Sequence, residues 1–214
     1  LLSAKAWDEA MHLIGAHIPV KSSHGESLTI VRWLSALPEE VLASNPRLVL
    51  LYTTPLTVIG RFPEAEKWLQ MAESKLGDTL QGEHAAARAF LAGTRGDLAP
   101  ALTWSEKALA LLPEDSGAFR VIASSSQARA YMSTGQGHAA LKAISETRRV
   151  AQHHGLHALT LRSQFYEGKI LAIMGNLREA QSLFEAVLQA IPRSRHPHPL
   201  EDCMVRLGYG EVLY

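Results

Sequence analysis

Apolar residues recur at intervals of three and four along most of this 214-residue chain, the spacing that keeps one face of an α-helix turned inward. Val, Ile and Thr nowhere alternate with polar residues for long enough to suggest a strand, so an all-α fold is expected. The pattern predicts helices at 4–17, 26–36, 46–59, 63–76, 83–95, 99–112, 117–134, 138–152, 157–174, 178–190 and 200–214. Breakers separate them: Pro19 to Gly25, Gly77 to Gly82, Pro113 to Gly117, and Pro192 to Pro199, the last expected to be a mobile loop. Asn45-Pro46 reads as a helix start, the amide capping and the proline at the first helical position. Pro55 falls inside a predicted helix, where it removes a hydrogen bond and crowds the Leu51 carbonyl; a kink that follows the curvature of the array is expected.

The helices repeat. Gly60, Gly96, Gly135 and Gly175 stand 36, 39 and 40 residues apart. Five positions after each is an alanine: Ala65, Ala101, Ala140 and Ala180, where a small side chain lets two helices approach closely. Nine positions after each come Leu69, Ser105, Ile144 and Phe184, and twelve after each Ala72, Ala108, Thr147 and Val187, continuing one inward face. The glycine suits a left-handed helix end, and Pro63 falls in the first turn of the helix that follows. Trp7-Asp8-Glu9-Ala10 repeats the second-helix pattern with Lys5 where the glycine would stand.

A period of this length built from two helices is that of tetratricopeptide-like repeats. The expected fold is a right-handed superhelix of antiparallel helix pairs, one domain over 1–214. The pairs turn near Lys5, Gly60, Gly96, Gly135 and Gly175, with the first helix of a further pair at 200–214. The chain opens at Leu1-Leu2 inside an apolar pattern and closes at Val212-Leu213-Tyr214 within a predicted helix, as a piece of a longer protein would.

Composition narrows the function. Lys plus Arg equals Asp plus Glu at 21 each, so no overall field draws the chain to nucleic acid or an anionic membrane. One cysteine, Cys203, allows no internal disulfide and fits a reducing compartment, so a cytoplasmic location is expected. No apolar run is long enough to span a bilayer, and no export signal opens the chain.

Chemistry-bearing residues are few. His153, His154 and His157 invite a metal reading, but Gly155 breaks the helix between them and no Cys or carboxylate pair is near; they read as solvated loop residues, as do His196 and His198. Cys203 has no adjacent base, and Ser124-Ser125-Ser126 reads as small packing residues in a helix. Glu39-Glu40 and Glu201-Asp202 suit helix starts. Trp7, Trp68 and Trp104 recur on second helices, and with Trp33 are expected to pack between helices. No acid, base, nucleophile or metal set converges, so no enzyme is expected. The first helix of each pair lines the inner wall of such an array. Aligned by the glycines, Arg47, Phe90, Arg129, Arg162, Phe165 and Lys169 fall toward that wall, while Arg88, Gln127 and Gln164 fall where apolar residues usually pack. Arg47, Arg88, Phe90, Gln127, Arg129, Arg162, Phe165 and Lys169 are therefore the candidate ligand-binding residues. Their partners are either internal carboxylates such as Glu167 or an anionic or hydroxylated ligand.

One stretch is more specific than a generic repeat. Arg32-Trp33-Leu34-Ser35-Ala36-Leu37-Pro38-Glu39-Glu40-Val41-Leu42, then Asn45-Pro46-Arg47-Leu48-Val49-Leu50-Leu51-Tyr52, then Gly60-Arg61-Phe62-Pro63-Glu64-Ala65-Glu66 resembles the helical-repeat domain of MalT-like regulators, large ATP-binding transcription activators of the LuxR type. Gly175 to Ala180 and the closing Gly210 to Tyr214 are similar to the same domain, so the resemblance covers most of the chain. It implies a domain that receives a small-molecule inducer or a regulatory protein and takes part in ATP-dependent self-association. ATP and promoter DNA would then be bound elsewhere in the parent protein. The only Gly-Lys pair, Gly168-Lys169, lacks the rest of a phosphate loop, and no basic recognition helix is present, so no cofactor, nucleic-acid contact or membrane contact is expected of this chain. Effector sensing is the leading expectation; a scaffold that holds a peptide or partner helix in its groove is the alternative.

Overall fold

The computed structural model describes residues 6–23, 25–190 and 210, and every regular element among them is helical. In chain order these are α1 (Trp7–Ser23), α2 (Ser27–Ser35), α3 (Glu39–Ala43), α4 (Pro46–Val58), α5 (Phe62–Glu73), α6 (Gln81–Arg95), α7 (Leu98–Leu111), α8 (Gly117–Ser133), α9 (Gly137–His153), α10 (His157–Ile173) and α11 (Leu177–Ala190), with one 3-10 turn at Asp78–Leu80. Of the helix expected at 200–214 only Gly210 is described, and it is helical; the loop Pro192 to Pro199 and Cys203 lie outside the described residues. Two expectations change. The loop expected from Pro19 is instead the last turn of α1, which runs on to Ser23. Ile18, buried at 2% exposure, anchors that turn, and Lys21 bonds Glu26 just beyond it at 2.9 Å. A further helix, α3, is too short at five residues to show a period, and starts after Pro38 with Glu39 and Glu40 in its first turn. α4 continues through Pro55, which is buried, to Val58.

The four repeat glycines end their helices as expected, with φ of +79°, +90°, +74° and +85° at Gly60, Gly96, Gly135 and Gly175. Each makes the paired bonds of a left-handed helix terminus. At Gly60 its own N–H reaches the Thr57 carbonyl at 3.1 Å and the Arg61 N–H reaches that of Leu56 at 2.9 Å. At Gly175 the same pair runs to Ala172 and Leu171 at 3.0 and 2.9 Å. Nothing stands within 4 Å of a Cβ built at any of the four, so conformation and not space calls for glycine there.

The inward face is the one the repeat frame implies. Ala65, Ala101, Ala140 and Ala180 are all 0% exposed. The positions nine and twelve after the glycines are buried in every copy, Ser105 and Thr147 included. The polar ones are satisfied: Ser105 Oγ donates to the Leu102 carbonyl, and Thr147 Oγ1 to Ser124 Oγ, both at 2.8 Å.

The chain divides into two compact units, Leu1–Ala123 and Ser124–Tyr214. In the first, α4 packs on α5 and on α6, α6 on α7, and α2 on α4, around a core that includes Ile30, Leu34, Leu50, Leu56 and Leu69. Trp68 meets Tyr52 edge-on at 5.9 Å, and Trp104 meets His84 in the same way at 6.0 Å, so these second-helix indoles pack against the first helix of their own pair. Tyr52 is anchored by Ser35 at 2.9 Å and Glu64 at 3.2 Å; burial pushes its hydroxyl up from the usual tyrosine range. In the second unit α10 packs on both α9 and α11, with Phe165, Ala180, Phe184 and Val187 in one cluster and Ala128, Ala140, Ile144 and Ile170 in another.

Candidate functional site

The eight candidate residues do not form one constellation. In the first unit, Arg47 near the start of α4 is 68% exposed and meets Glu83 of α6 at 3.3 Å. Arg88 is 14% exposed and is occupied within the fold: it pairs with Glu66 and, at 3.4 Å, with Glu73, both on α5. Burial pushes Glu66 up, but the bond and charge of Arg88 outweigh it, so its carboxyl is held below the usual range. Phe90 is half-buried. In the second unit, Gln127 and Arg129 are half-buried and Arg162 is exposed. Burial draws the Arg129 guanidinium down from its usual range, opposed by Tyr166. Phe165, at 5% exposure, is a core residue stacked at a tilt on Phe184 at 5.8 Å, and Lys169 lies 6.0 Å over the Phe165 ring. Glu167 serves Arg148 of α9 at 2.6 Å.

One cavity gathers several of these elements. About 470 Å³ in volume, it lies in the first unit among α1, the start of α4, the first turn of α6 and the segment that opens α8. Its polar lining is His12, Asn45, Arg47, Glu83, Asp115 and Ser116; its apolar lining includes Met11, Leu48, Leu51 and Phe119. The sequence places it there for a local reason. Asn45 caps α4, its side chain accepting from the Leu48 N–H at 3.1 Å, and this brings Arg47 to the rim. Glu83 sits in the first turn of α6, where a carboxylate favours the helix dipole. It is nonetheless 8% exposed, and its Oε2 has no hydrogen-bond partner among the described residues. Burial pushes the carboxyl up, and Arg47 only partly offsets this.

Glu83, Asp115 and Ser116 were not among the sequence candidates, yet a signal for Glu83 exists. Arg47 and Glu83 both stand thirteen residues before their turn glycines, so the repeat places them side by side on adjacent first helices. No positional rule singles out Asp115 and Ser116, which stand in a connection between helices.

Other chemistry is not assembled among the described residues. His153 and His154 meet edge-on at 5.1 Å on the surface, and no group of three His, Cys, Asp or Glu side chains among the described residues is placed to hold a metal ion. Gly168-Lys169 lies in the middle of α10, where a Cβ on Gly168 would come within 2.8 Å of the Phe184 ring, so these residues do not fit an ATP phosphate loop. No helix among the described residues is long and apolar enough to cross a membrane.

Helix pairs turning on left-handed glycines, with a shared alanine crossing, define a tetratricopeptide-like repeat protein. Solved structures agree on the fold. BtubC (BKLC) from P. vanneervenii superposes with a TM-score of 0.67 at 16% identity, covering 93% of this chain and 82% of that one. A Podosopora anserina putative kinesin light chain with TPR-like repeats gives 0.61 at 19% identity, covering 80% and 86%. The family is fixed by sequence: residues 82–214 match the MalT-like TPR region, and the chain belongs to that family. It is 30% identical over 190 residues to the HTH-type transcriptional regulator MalT of Cronobacter sakazakii (strain ATCC BAA-894), covering 86% of this chain and 21% of the relative. It is 28% identical over 195 residues to the MalT of Serratia proteamaculans (strain 568), with the same coverage. The chain thus spans about a fifth of the length of these curated relatives.

Proposed function

We propose that the chain is the effector-sensing and self-association domain of an ATP-dependent transcription activator of the MalT/LuxR type, receiving a small-molecule inducer on the side formed by its first helices. The observation that carries this reading is the match of residues 82–214 to the MalT-like TPR region, together with relatives that are transcriptional regulators. A cavity of about 470 Å³ with a mixed lining, of the size that small-molecule sites have, adds support. The inducer acts by differential affinity for two arrangements of the protein, and the ATP-binding and DNA-binding steps belong to other parts of the parent protein. The domain itself binds and does not catalyse.

A thermal-shift screen of sugars, phosphorylated metabolites, amines and aromatic acids, followed by light scattering with each hit, tests the proposal. A true effector at 100 times its dissociation constant stabilises the fold by about 2.7 kcal/mol, and in the parent protein it changes the association state. No shift across a broad panel, with recovery of one stable protein partner, would replace effector sensing by a scaffold role.

A further inference from the structure

We propose that the side of α1 marked by Leu13 and Val20 seats a further helix, the first helix of α1's own pair, contributed by the segment that precedes α1 in the parent protein. The inference goes beyond effector sensing and stands without it. α1 carries the second-helix pattern, with Lys5 in the place of the turn glycine. Ala10, Leu13, Ile14 and His17 therefore stand where Ala65, Trp68, Leu69 and Ala72 stand in α5. Ala10 is buried as its counterparts are, but the rest of that stripe is less covered. Leu13 is 45% exposed, whereas its counterparts Trp68 and Ala143 are buried and Trp104 and Leu183 half-buried. His17 is exposed where Ala72, Ala108, Thr147 and Val187 are all buried. What covers the Leu13 position in later pairs is the first helix of the same pair: Tyr52 of α4 meets Trp68 of α5 at 5.9 Å, and His84 of α6 meets Trp104 of α7 at 6.0 Å. The helices that pack on α1, α2 and α4, both follow it in the chain and share a core with Met11 and Ile18. Leu13, Ala16 and Val20, all exposed, stand on roughly the opposite side, at the three-and-four spacing of a helix that buries an apolar stripe. The end of a helical array needs a polar outer face, so an apolar one marks α1 as an interior helix and not a cap. Its occupant is an amphipathic helix antiparallel to α1, with an apolar or aromatic side chain over Leu13 as Tyr52 lies against Trp68. A parent as long as the matched relatives has ample chain outside these residues to supply that helix.

The test is maleimide labelling of Leu13→Cys, in the 214-residue chain and in the parent protein, read by mass spectrometry of the peptide that carries residue 13. Labelling should be fast in the chain alone and at least about tenfold slower in the parent, where the thiol is reached only through local opening. A photo-crosslinking residue at position 13 of the parent should join a segment that precedes Lys5 in the same chain. Val20→Asp carries the test if the cysteine disturbs the fold. It should leave hydrogen exchange in α1 unchanged in the chain alone and speed it in the parent, where the new carboxylate would be buried without a partner. Equal labelling of residue 13 in the two proteins, or crosslinks that lead to a second copy or to a later part of the chain, overturns the proposal. Unchanged exchange of Val20→Asp in the parent overturns it too. None of these results bears on the effector reading, which the thermal-shift panel decides.

Discussion

Two neighbouring residues at the start of α6 titrate in opposite senses. Glu83 is pushed up by burial, against the Arg47 charge. Its neutral form is the one the fold prefers, so its contribution is fully present below the ordinary glutamate range and is lost as pH rises through the elevated folded value. His84, 2% exposed, is pushed down by burial and the Arg88 charge, with Glu73 and a backbone bond to Leu69 opposing. It favours the fold while neutral, and that contribution is lost as pH falls through the ordinary histidine range near 6.5. Glu83→Gln is therefore expected to raise the melting temperature at pH 7 and to match the parent at pH 4, in paired thermal melts. His84→Gln is expected to flatten the fall in stability between pH 7 and pH 5; an unchanged slope would place the acid sensitivity elsewhere. Neither residue drew notice in the sequence, for a physical reason. A glutamate in a first helical turn reads as a solvated group favoured by the dipole, and its burial depends on segments distant in sequence, among them the start of α4 that brings Arg47 to it.

Among the helices, sequence and structure agree most closely where the chemistry is local. The turn glycines, the Asn45 cap and the alanine crossings follow from a few adjacent residues. The end of α1 does not, because Pro19 is overruled by tertiary anchoring, and the extent of α3 does not, because five residues carry no period although Glu39-Glu40 reads as a helix start. Substitutions separate the roles. Ala101→Leu, at a 0% exposed crossing, should destabilise by about 1–3 kcal/mol through overpacking, measured by urea unfolding. Phe184→Ala, also 0% exposed, should cost about 3–5 kcal/mol. Gly96→Ala should cost about 1 kcal/mol, because φ is +90° there although the space is free. Gly77→Ala is its control: φ is −78°, space is equally free, and the change should be neutral or stabilise by about 0.4–1 kcal/mol. Equal losses at both glycines would contradict the assignment of Gly96 to a left-handed terminus.

For the molecule as a whole, the fold class and family were legible because every repeat restates the same frame and because one run, Arg32 to Glu66, is more specific than the frame. The ligand chemistry was not legible. The cavity is assembled from segments as far apart as Met11 and Phe119, and no local motif reports such a meeting. The arginines among the wall candidates suggested an anionic or hydroxylated ligand, whereas Arg88 is spoken for by Glu66 and Glu73, and Arg47 pairs with Glu83. Reception of an effector by this repeat region is read by hydrogen exchange with and without a ligand that raises the melting temperature. Added protection is expected in peptides covering 11–16, 45–51, 81–85 and 115–119, the segments that surround the cavity. Protection confined to other parts of the chain, or unchanged exchange at a saturating concentration of every ligand tried, would contradict it.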